Sequence, residues 1–576
     1  MDATKTITRP RDGVPGAGKP ATGLAGLTPA EKARHHRAAR IGDSMVWLCG
    51  GALALNLLLV LGLLVLLAVN GLGYFWPSEI VRLELHDGQK LLGEVHEVEA
   101  IPPKAGEAAG APRTRLLLKV GNRDLTGQDF LWIDESAIRS RAVPPDAVVF
   151  ERLEYGNFYG TIAEVKDHGK VVSQGPQAWE EFLRDHPAEL AARARVLDFE
   201  RHQLAPANHE IERLRLEKRR VEISGMSPER KAAELADIER RTQETTAQSQ
   251  QLTDRLFAIR DEQLCKTVVL EAADGRRKEI PMGQIVRATR PNELGLLGAL
   301  GVYFTRAWEF VADDPRESNT EGGIFPAIFG TVLMVFLMSF AVAPLGVLAA
   351  LYLREYAKQG LLVRIVRIAV NNLAGVPSIV FGVFGLGFFV YVIGGTIDQL
   401  FFPEALPTPT FGTGGILWAA LTLAILTVPV VIVATEEGLA AVPRIVREGS
   451  FAMGATKFET TWRVVIPAAA PGILTGLILA MARAAGEVAP LMIVGMVKLA
   501  PAMPIDGNFP FLHFERKFMH LGFHIYDVGF QSPNVDATKP LVFATAFLLI
   551  LIVTVMNLVA ISLRNRLRRK YAGSAV

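Results

Sequence analysis

Residues 448–454 read Glu448-Gly449-Ser450-Phe451-Ala452-Met453-Gly454, and after nine more residues the chain continues Val464-Val465-Ile466-Pro467. This polar stretch lies between two long apolar segments, which places it in a loop at a membrane surface. Glycine and serine are weak helix formers, so a helix here has little intrinsic stability. The stretch is therefore predicted to be a short helix that depends on contact with a partner for its order.

The rest of the chain alternates between apolar and charged blocks. Of its 576 residues, 50% are hydrophobic and 21% are charged, and the net charge of +2 gives no sign of a nucleic-acid partner. A transmembrane helix needs about 20 consecutive apolar residues. We therefore expect an all-α polytopic membrane protein, embedded in lipid, with six transmembrane helices. The six qualifying segments are residues 45–70, 324–351, 366–395, 414–435, 470–497 and 540–563.

The basic residues predict the orientation of these spans, because cytoplasmic loops carry an excess of lysine and arginine. Basic groups precede the first span, separate the second from the third, separate the fourth from the fifth, and follow the last. With six spans, all four groups fall on one side. Both termini and residues 448–454 are thus predicted to be cytoplasmic, and the long connection after the first span is predicted to be periplasmic.

Domain boundaries follow from the same pattern. Residues 1–44, rich in glycine, proline, alanine and threonine, are predicted to be a disordered cytoplasmic leader. The apolar run at 45–70 is too long for the core of a signal peptide and is predicted to be an uncleaved anchor helix. A periplasmic domain is expected at 77–320, a transmembrane domain at 324–565, and a basic cytoplasmic tail at 566–576.

A partial nucleotide-binding motif occurs in the leader at residues 13–19, Gly-Val-Pro-Gly-Ala-Gly-Lys. A working P-loop ends in Ser or Thr, which binds magnesium, and follows a buried strand. Pro20 occupies the Ser/Thr position, and no strand pattern precedes it. We therefore expect that this chain is not an enzyme and does not hydrolyse ATP.

The periplasmic insertion is predicted to be an α+β domain. Short strands with adjacent turn signals are expected at 81–85, 115–120, 130–133 and 267–270. Between them, residues 178–262 carry two apolar stripes separated by a Gly-Pro-containing turn, which predicts a long antiparallel helical hairpin with a kink at Pro206. The hairpin could be a rigid spacer or a docking surface for a periplasmic partner. The histidines of this domain lack metal-ligand spacing, so no metal site or catalytic group is expected.

Two charged residues lie in the fifth apolar segment. Arg483 and Glu487 are four residues apart, on one face of a predicted helix. A charge at mid-bilayer costs about 2.5–3.5 kcal/mol, so such residues normally face a partner or a water-filled path. The arginine fork matches an oxyanion. The pair is predicted to line a substrate path, and a purely structural ion pair is the alternative.

The third apolar segment contains residues that permit bending and close helix contact. Pro377 removes a backbone hydrogen bond, and glycines allow helices to approach closely. The segment is predicted to line the pathway, with tight packing as the alternative. The residues concerned are Gly375, Pro377, Ser378 and Gly382.

The 448–467 pattern resembles the EAA loop of binding-protein-dependent ABC importers, in which Glu-Ala-Ala is followed by three residues, Gly, nine residues and Ile-x-Leu-Pro. Gly449 and Ser450 stand where alanine is usual. The resemblance implies that this loop receives force from a separate ATPase. The coupling residues would be Glu448, Gly449, Ser450, Gly454 and Pro467.

Four stretches together resemble the PstA family, the permease subunits of bacterial phosphate importers. They are residues 372–382, residues 435–437 with 441–444, the EAA-like loop and residues 483–490. The resemblance covers about 324–565 and implies the type I ABC importer permease fold there. It also implies that Arg483 and Glu487 correspond to the charged pair proposed to line the phosphate path. The periplasmic domain departs from the family pattern, in which this connection is short.

The same resemblance implies a multi-pass protein of the bacterial inner membrane that moves inorganic phosphate inward by alternating access. Its expected partners are the sister permease PstC, a PstB ATPase dimer and the periplasmic phosphate-binding protein PstS. ATP and magnesium would be bound by the ATPase, so the chain itself is expected to need no cofactor. Two alternatives stay open: a permease for another oxyanion, such as phosphonate or molybdate, and a phosphate-responsive signalling scaffold.

Overall fold

The computed structural model describes residues 29–101, 113–263, 265–532 and 535–572. The predictions for residues 1–28, including the P-loop-like stretch, and for residues 573–576 of the tail lie outside the described residues. Helix α1 spans Pro29–Gly73. Residues 29–44, which were predicted to be disordered, are helical, and the first span begins at Ser44, next to the predicted residue 45. The chain divides after Leu66 into two units, Met1–Leu66 and Leu67–Val576.

Six helices of the described chain are long and apolar enough to cross a membrane, which confirms the predicted number. Their order along the sequence also agrees with the prediction, but the third and fifth differ in extent. The six are Ser44–Gly73, Phe325–Tyr356, Ser378–Phe401, Ile416–Ala440, Lys457–Gly486 and Thr538–Arg569.

The third span begins at Ser378, although hydropathy predicted its start at residue 366. Pro377 has an extended backbone (φ −54°, ψ 133°) and has no N–H to continue a helix, so residues 361–373 form a separate short helix. The fifth span ends at Gly486 rather than at 497, because Glu487 is also extended (φ −84°, ψ 124°). Residues 489–494 then form a further short helix.

The helices after α1 fall into an outer group and a membrane group. π-helical turns occur after α3, α7, α9, α13 and α16. The outer helices are α2 (Arg123–Thr126), α3 (Pro176–Phe199), α4 (Ala205–Ile223), α5 (Pro228–Gln263) and α6 (Leu296–Ala312). The others are α7 (Phe325–Leu351), α8 (Leu361–Leu373), α9 (Ser378–Phe384), α10 (Gly395–Phe401), α11 (Ile416–Ala440), α12 (Arg444–Ala452), α13 (Lys457–Thr460), α14 (Ile466–Gly486), α15 (Ala489–Val494), α16 (Leu521–Tyr526) and α17 (Val535–Ala572).

The outer domain contains two antiparallel sheets, ordered β4-β3-β2-β1-β5 and β10-β9-β7-β6-β11, with β8 paired to β7. All four predicted strand segments are strands (β1, β3, β4 and β9). The strands are β1 (Ile80–Leu85), β2 (Lys90–Ile101), β3 (Arg113–Lys119), β4 (Phe130–Asp134), β5 (Ile138–Ala142), β6 (Val148–Arg152), β7 (Phe158–Asp167), β8 (Lys170–Gln174), β9 (Lys266–Glu271), β10 (Arg277–Pro281), β11 (Ile285–Thr289), β12 (Pro315–Arg316) and β13 (Glu321–Gly322).

The predicted helical hairpin is present, with α3 and α4 in one arm and α5 in the other. Leu214 and Val221 of α4 pack against Ile238 of α5. In α3 the buried residues include Val196 and Phe199. A π-helical turn at Glu200–Leu204, directly before Pro206, adds one residue to the helical repeat. The apolar stripe of this arm therefore changes phase at this turn.

Helix α6 joins the outer sheets to the membrane helices. Arg306 of α6 donates to the buried Glu151 of β6 (Nη2–Oε1 2.7 Å), and Arg287 of β11 pairs with Glu309 of α6. Burial alone would raise the pKa of Glu151, but the guanidinium groups of Arg306 and Arg287 hold this pKa below its usual value. The ion pairs thus fix the base of the outer domain on α6.

The membrane core is built around α11. Its residues Ile416, Leu423 and Val431 are fully buried between α7 and α14. Met338 of α7 and Ala480 of α14 complete the same cluster. Because α11 is covered by its own chain, surfaces for lipid or for other subunits must lie on the surrounding helices.

Candidate functional site

Arg483 and Glu487 form the ion pair that was predicted from their spacing. The Nε atom of Arg483 lies 3.5 Å from Oε1 of Glu487, and the two side chains are 34% and 21% exposed. The pair sits at the end of α14 rather than inside a helix, because the helix stops at Gly486. Neither charge is sealed within the chain, so both can be reached by a solvated ion.

Helix α15, which follows this pair in sequence, packs against the third span. Helix α9 packs against α15, with Gly382 directly on Pro490. A Cβ atom placed on Gly382 would lie 2.7 Å from the Cα of Pro490, so only glycine permits this contact. Leu491 is fully buried beside Phe381. Two stretches about a hundred residues apart in sequence are thereby brought together.

The other residues predicted to line the pathway lie at the turn before α9. Gly375 and Pro377 are exposed, and Ser378 is half-buried at the first position of α9. A Cβ atom at Gly375 would meet only the carbonyl oxygen of Asn372, at 3.4 Å. Close helix packing therefore explains why glycine is needed at position 382 but not at position 375. Gly375 lies in a turn at the surface of the chain.

The predicted coupling stretch is a helix. Helix α12 contains Glu448, Gly449 and Ser450, and it ends after Ala452. Gly454 follows in the left-handed conformation (φ +85°), which favours glycine. The Ala455 N–H donates to the Ser450 carbonyl at 3.3 Å, closing the helix end.

A capping box starts the next helix. The Thr456 side chain accepts from the Glu459 N–H, and the Glu459 carboxylate accepts from the Thr456 N–H at 2.9 Å. Helix α13 then runs through a π-helical turn into α14, which has Pro467 in its first turn. The Thr-x-x-Glu spacing is a sequence signal for a helix start that our sequence analysis did not use.

Three hydrogen bonds connect α12 to the membrane helices. The Arg447 guanidinium donates to the carboxylate of Glu355 (2.5 Å), in the turn that follows α7, and to the Leu439 carbonyl at the end of α11 (2.6 Å). The Ser450 and Thr460 hydroxyls are 2.9 Å apart. Helix α12 is therefore hydrogen-bonded to the second, fourth and fifth spans.

An apolar patch of four side chains surrounds α12. Ile445 and Met453 are 81% and 88% exposed, and Phe458 and Trp462 are also exposed and stack with ring centroids 6.3 Å apart. A cluster of this kind on a polar loop marks an interaction site. These residues were not among the predicted site residues, although apolar side chains in a polar loop are a signal that the sequence contains.

The loop between the third and fourth spans is held by a buried carboxylate. Asp398 is fully buried and accepts from the backbone N–H groups of Phe411 (2.9 Å) and Gly412 (2.6 Å). The Trp418 indole donates to the Phe411 carbonyl at 2.7 Å. The loop is thus a rigid extension of the third and fourth spans.

Two buried histidines lie in the segment between the fifth and sixth spans. His520 accepts from the Gly522 N–H at 3.1 Å and caps α16. Burial lowers the pKa of His520 to about 4, and burial together with the charge of Lys498 lowers the pKa of His524 to about 4. Among the described residues, no three His, Cys, Asp or Glu side chains are arranged to hold a metal ion.

The membrane helices match a known family. Residues 342–572 fit the family described as binding-protein-dependent transport system inner membrane component. Similar proteins include the probable ABC transporter permease protein YqgH of Bacillus subtilis, 31% identical over 34% of this chain and 59% of the relative. The probable phosphate transport system permease protein PstA of Methanocaldococcus jannaschii is 34% identical over 34% and 63%. PstA 1 of Mycobacterium tuberculosis is 36% identical over 30% and 51%.

These matches span about half to two thirds of the length of the relatives. Among solved structures, the inward-facing MetNI methionine ABC transporter is 19% identical, covering 42% of this chain and 94% of that chain, with a TM-score of 0.32. A bacterial alginate ABC transporter is 14% identical, with a TM-score of 0.29 and coverage of 43% and 78%. The part of the chain at residues 342–572 is therefore similar to the binding-protein-dependent transport system inner membrane components, and the PstA relatives match this chain over about a third of its length.

Proposed function

We propose that this chain is the membrane permease subunit of an ATP-driven importer that moves inorganic phosphate from the periplasm to the cytoplasm. The observation that carries the proposal is the Arg483–Glu487 pair, a partly exposed charged pair at the end of a membrane helix. Charges within the bilayer are costly unless they face a partner or a path. The relatives named as phosphate permeases support phosphate as the cargo.

Arg483 would act as a transient contact for the anion. A guanidinium group presents a planar fork of donors that fits phosphate oxygens. At 3.5 Å, the contact with Glu487 is longer than a strong hydrogen bond, so an arriving oxyanion can displace the carboxylate. Glu487 then neutralises Arg483 again when the anion leaves, which prevents the site from holding its cargo too tightly.

The α12 segment would couple this path to ATP hydrolysis. Its exposed apolar patch, with Ile445, Met453, Phe458 and Trp462, is a suitable surface for an ATPase subunit. Closure of the ATPase dimer would move α12, and the Arg447 contacts would carry that motion to the spans. The path would open outward in one state and inward in the other, with ATP and magnesium held by the ATPase.

The proposed assembly contains a PstC-like sister permease, two PstB-like ATPases and a PstS-like phosphate-binding protein. With four basic groups on one side of six spans, both termini and α12 would face the cytoplasm of a bacterial inner membrane. The outer sheets and hairpin would then be periplasmic, on the side where a binding protein delivers phosphate.

The test is labelled phosphate uptake by phosphate-starved cells that carry this gene as their only permease of this type. We expect Arg483→Gln to reduce uptake about tenfold or more, because the variant loses one charge-assisted hydrogen bond to the anion. Arg139→Gln, on the exposed strand β5, is the matched control and should transport normally. Copurification of the ATPase confirms that each variant assembles.

Three outcomes would contradict parts of the proposal. Normal uptake by Arg483→Gln would make the pair a structural one. Uptake that is abolished equally by excess phosphonate or molybdate would change the cargo to another oxyanion. Failure of the wild-type assembly to take up any oxyanion would remove the transport function itself.

A further inference from the structure

Helix α8 presents an apolar stripe on the side opposite to the protein. Val363 is buried against Ala350 and Leu353 of the second span and Ile432 of the fourth. Leu361, Ile365 and Ile368 lie on the opposite side of the helix and are exposed. At 1.5 Å per residue, this helix is about 20 Å long and cannot cross a hydrocarbon core of about 30 Å.

Unpaired cations surround the same stripe. Arg354 and Lys358 precede α8, Arg364 lies on it, and the side chains of all three are exposed. None of the three forms an ion pair within the described part of the chain. Neighbouring charges differ in this respect, because Arg367 pairs with Glu436 at 3.2 Å. The surface around α8 therefore combines an apolar stripe with three free positive charges.

We propose that α8 lies in the cytoplasmic surface of the membrane and binds the headgroups of anionic phospholipids. A short helix with an apolar face and basic flanks inserts at the boundary between headgroups and acyl chains. Leu361, Ile365 and Ile368 enter that boundary, and the three cations meet lipid phosphates. This assignment rests on the proposed orientation, in which the connection between the second and third spans is cytoplasmic.

The position of α8 connects a lipid bound there to the helices that are proposed to form the pathway. Helix α8 leads through the turn at 374–377 into α9, and α9 carries the contact between Gly382 and Pro490. On its other side, Glu355 in the turn after α7 holds Arg447 of the coupling helix. Lipid bound at α8 thus stabilises the connection between the coupling helix and the third span.

Photocrosslinking of the full-length chain in cells tests what covers the stripe. Benzoylphenylalanine replaces Ile365 in one variant and Val363 in a control variant. We expect phospholipid adducts at Ile365 and adducts within the chain at Val363. Adducts of Ile365 with another polypeptide, in place of lipid, would overturn the proposal and make the stripe a subunit interface.

The charge requirement is tested in nanodiscs of phosphatidylglycerol and phosphatidylcholine. We expect the triple variant R354Q/K358Q/R364Q to retain less phosphatidylglycerol than wild type when the protein is extracted from the nanodiscs with detergent. Its affinity for phosphatidylglycerol should fall about fivefold for each cation removed. The control R139Q/R141Q, on β5, should retain as much as wild type. Equal retention by the triple variant would overturn the proposal, as would release of the lipid by inorganic phosphate.

These measurements do not involve transport, so they can fail while phosphate uptake is normal, or succeed while it is absent.

Discussion

Arg220, near the end of the outer hairpin, pairs with Glu404 in the loop between the third and fourth spans, with 3.1 Å between Nε and Oε1. Glu404 is only 4% exposed, whereas Arg220 remains largely in solvent. Helix α4 packs along residues Pro403–Ala405 at the same place. The hairpin is therefore not a free spacer, because its far end rests on the rigid external loop of the membrane helices.

Replacing Arg220 should release the hairpin from this loop. Arg220→Ala leaves the buried Glu404 carboxylate without its partner, at a cost of about 1–3 kcal/mol. We expect faster hydrogen exchange in residues 214–223 and 400–411, with the outer sheets unchanged. Glu404→Gln, which removes the charge as well as the pair, should cost less. Equal protection in wild type and Arg220→Ala would show that the pair does not hold the hairpin.

Gly454 should be essential for coupling. Its φ of +85° is strained for any residue with a Cβ, and a β-branched side chain raises the cost to about 1–3 kcal/mol. We expect Gly454→Val to distort the end of α12, so that ATP hydrolysis continues while phosphate uptake is lost in assembled complexes.

The control for this experiment is Gly449→Ala, in the middle of α12. A Cβ atom at Gly449 meets nothing within 4 Å, and alanine favours the helix by about 1 kcal/mol. This variant should transport normally. Normal uptake by Gly454→Val, measured beside it, would argue against a coupling role for the segment.

Local patterns in the sequence predicted the features that depend on local chemistry. Apolar run length was sufficient to count six spans, and gapped spacing was sufficient to predict a short helix at Glu448, Gly449 and Ser450, which lie in α12. The pair of Arg483 and Glu487 followed from helical spacing, although the helix ends between them. The boundary of the third span was wrong, because α8 and α9 are both apolar and hydropathy does not register the break at Pro377.

Contacts between distant residues left no comparable signal. Arg220 and Glu404 are 184 residues apart, and neither lies in a recognisable motif. The packing of Gly382 on Pro490 joins two motifs that were found separately, but no pattern indicated that they touch. Such contacts depend on how whole helices pack against one another. The periodicity of a single sequence carries no information about that packing.

Gly382 should tolerate no side chain. The Cβ atom of Gly382→Ala would come within 2.7 Å of the Pro490 backbone, and backbone atoms cannot move aside cheaply. We expect a loss of about 1–3 kcal/mol from overpacking, seen as a lower melting temperature of the purified chain. Gly387→Ala is the matched control in the same span, since its Cβ atom meets nothing within 4 Å. Equal melting temperatures for the two variants would refute this contact.

The buried histidines should make the external segment sensitive to acid. The pKa of both His520 and His524 is about 4 in the folded chain, against an ordinary value of about 6.5 when unfolded. Below pH 6.5 the unfolded chain therefore binds more protons, so this stabilising contribution is complete above pH 6.5 and is lost as the pH falls towards 4.

His520→Asn tests this, because asparagine keeps an acceptor for the Gly522 N–H at the start of α16 and removes the titrating ring. The variant should be less stable than wild type at pH 7.5, because the smaller side chain leaves a cavity. Its melting temperature should nevertheless fall less than that of wild type between pH 7.5 and pH 5. His202→Asn, on the exposed hairpin, is the control and should leave the wild-type fall in place. An identical acid-induced fall in His520→Asn and wild type would mean that burial of His520 does not set the acid response.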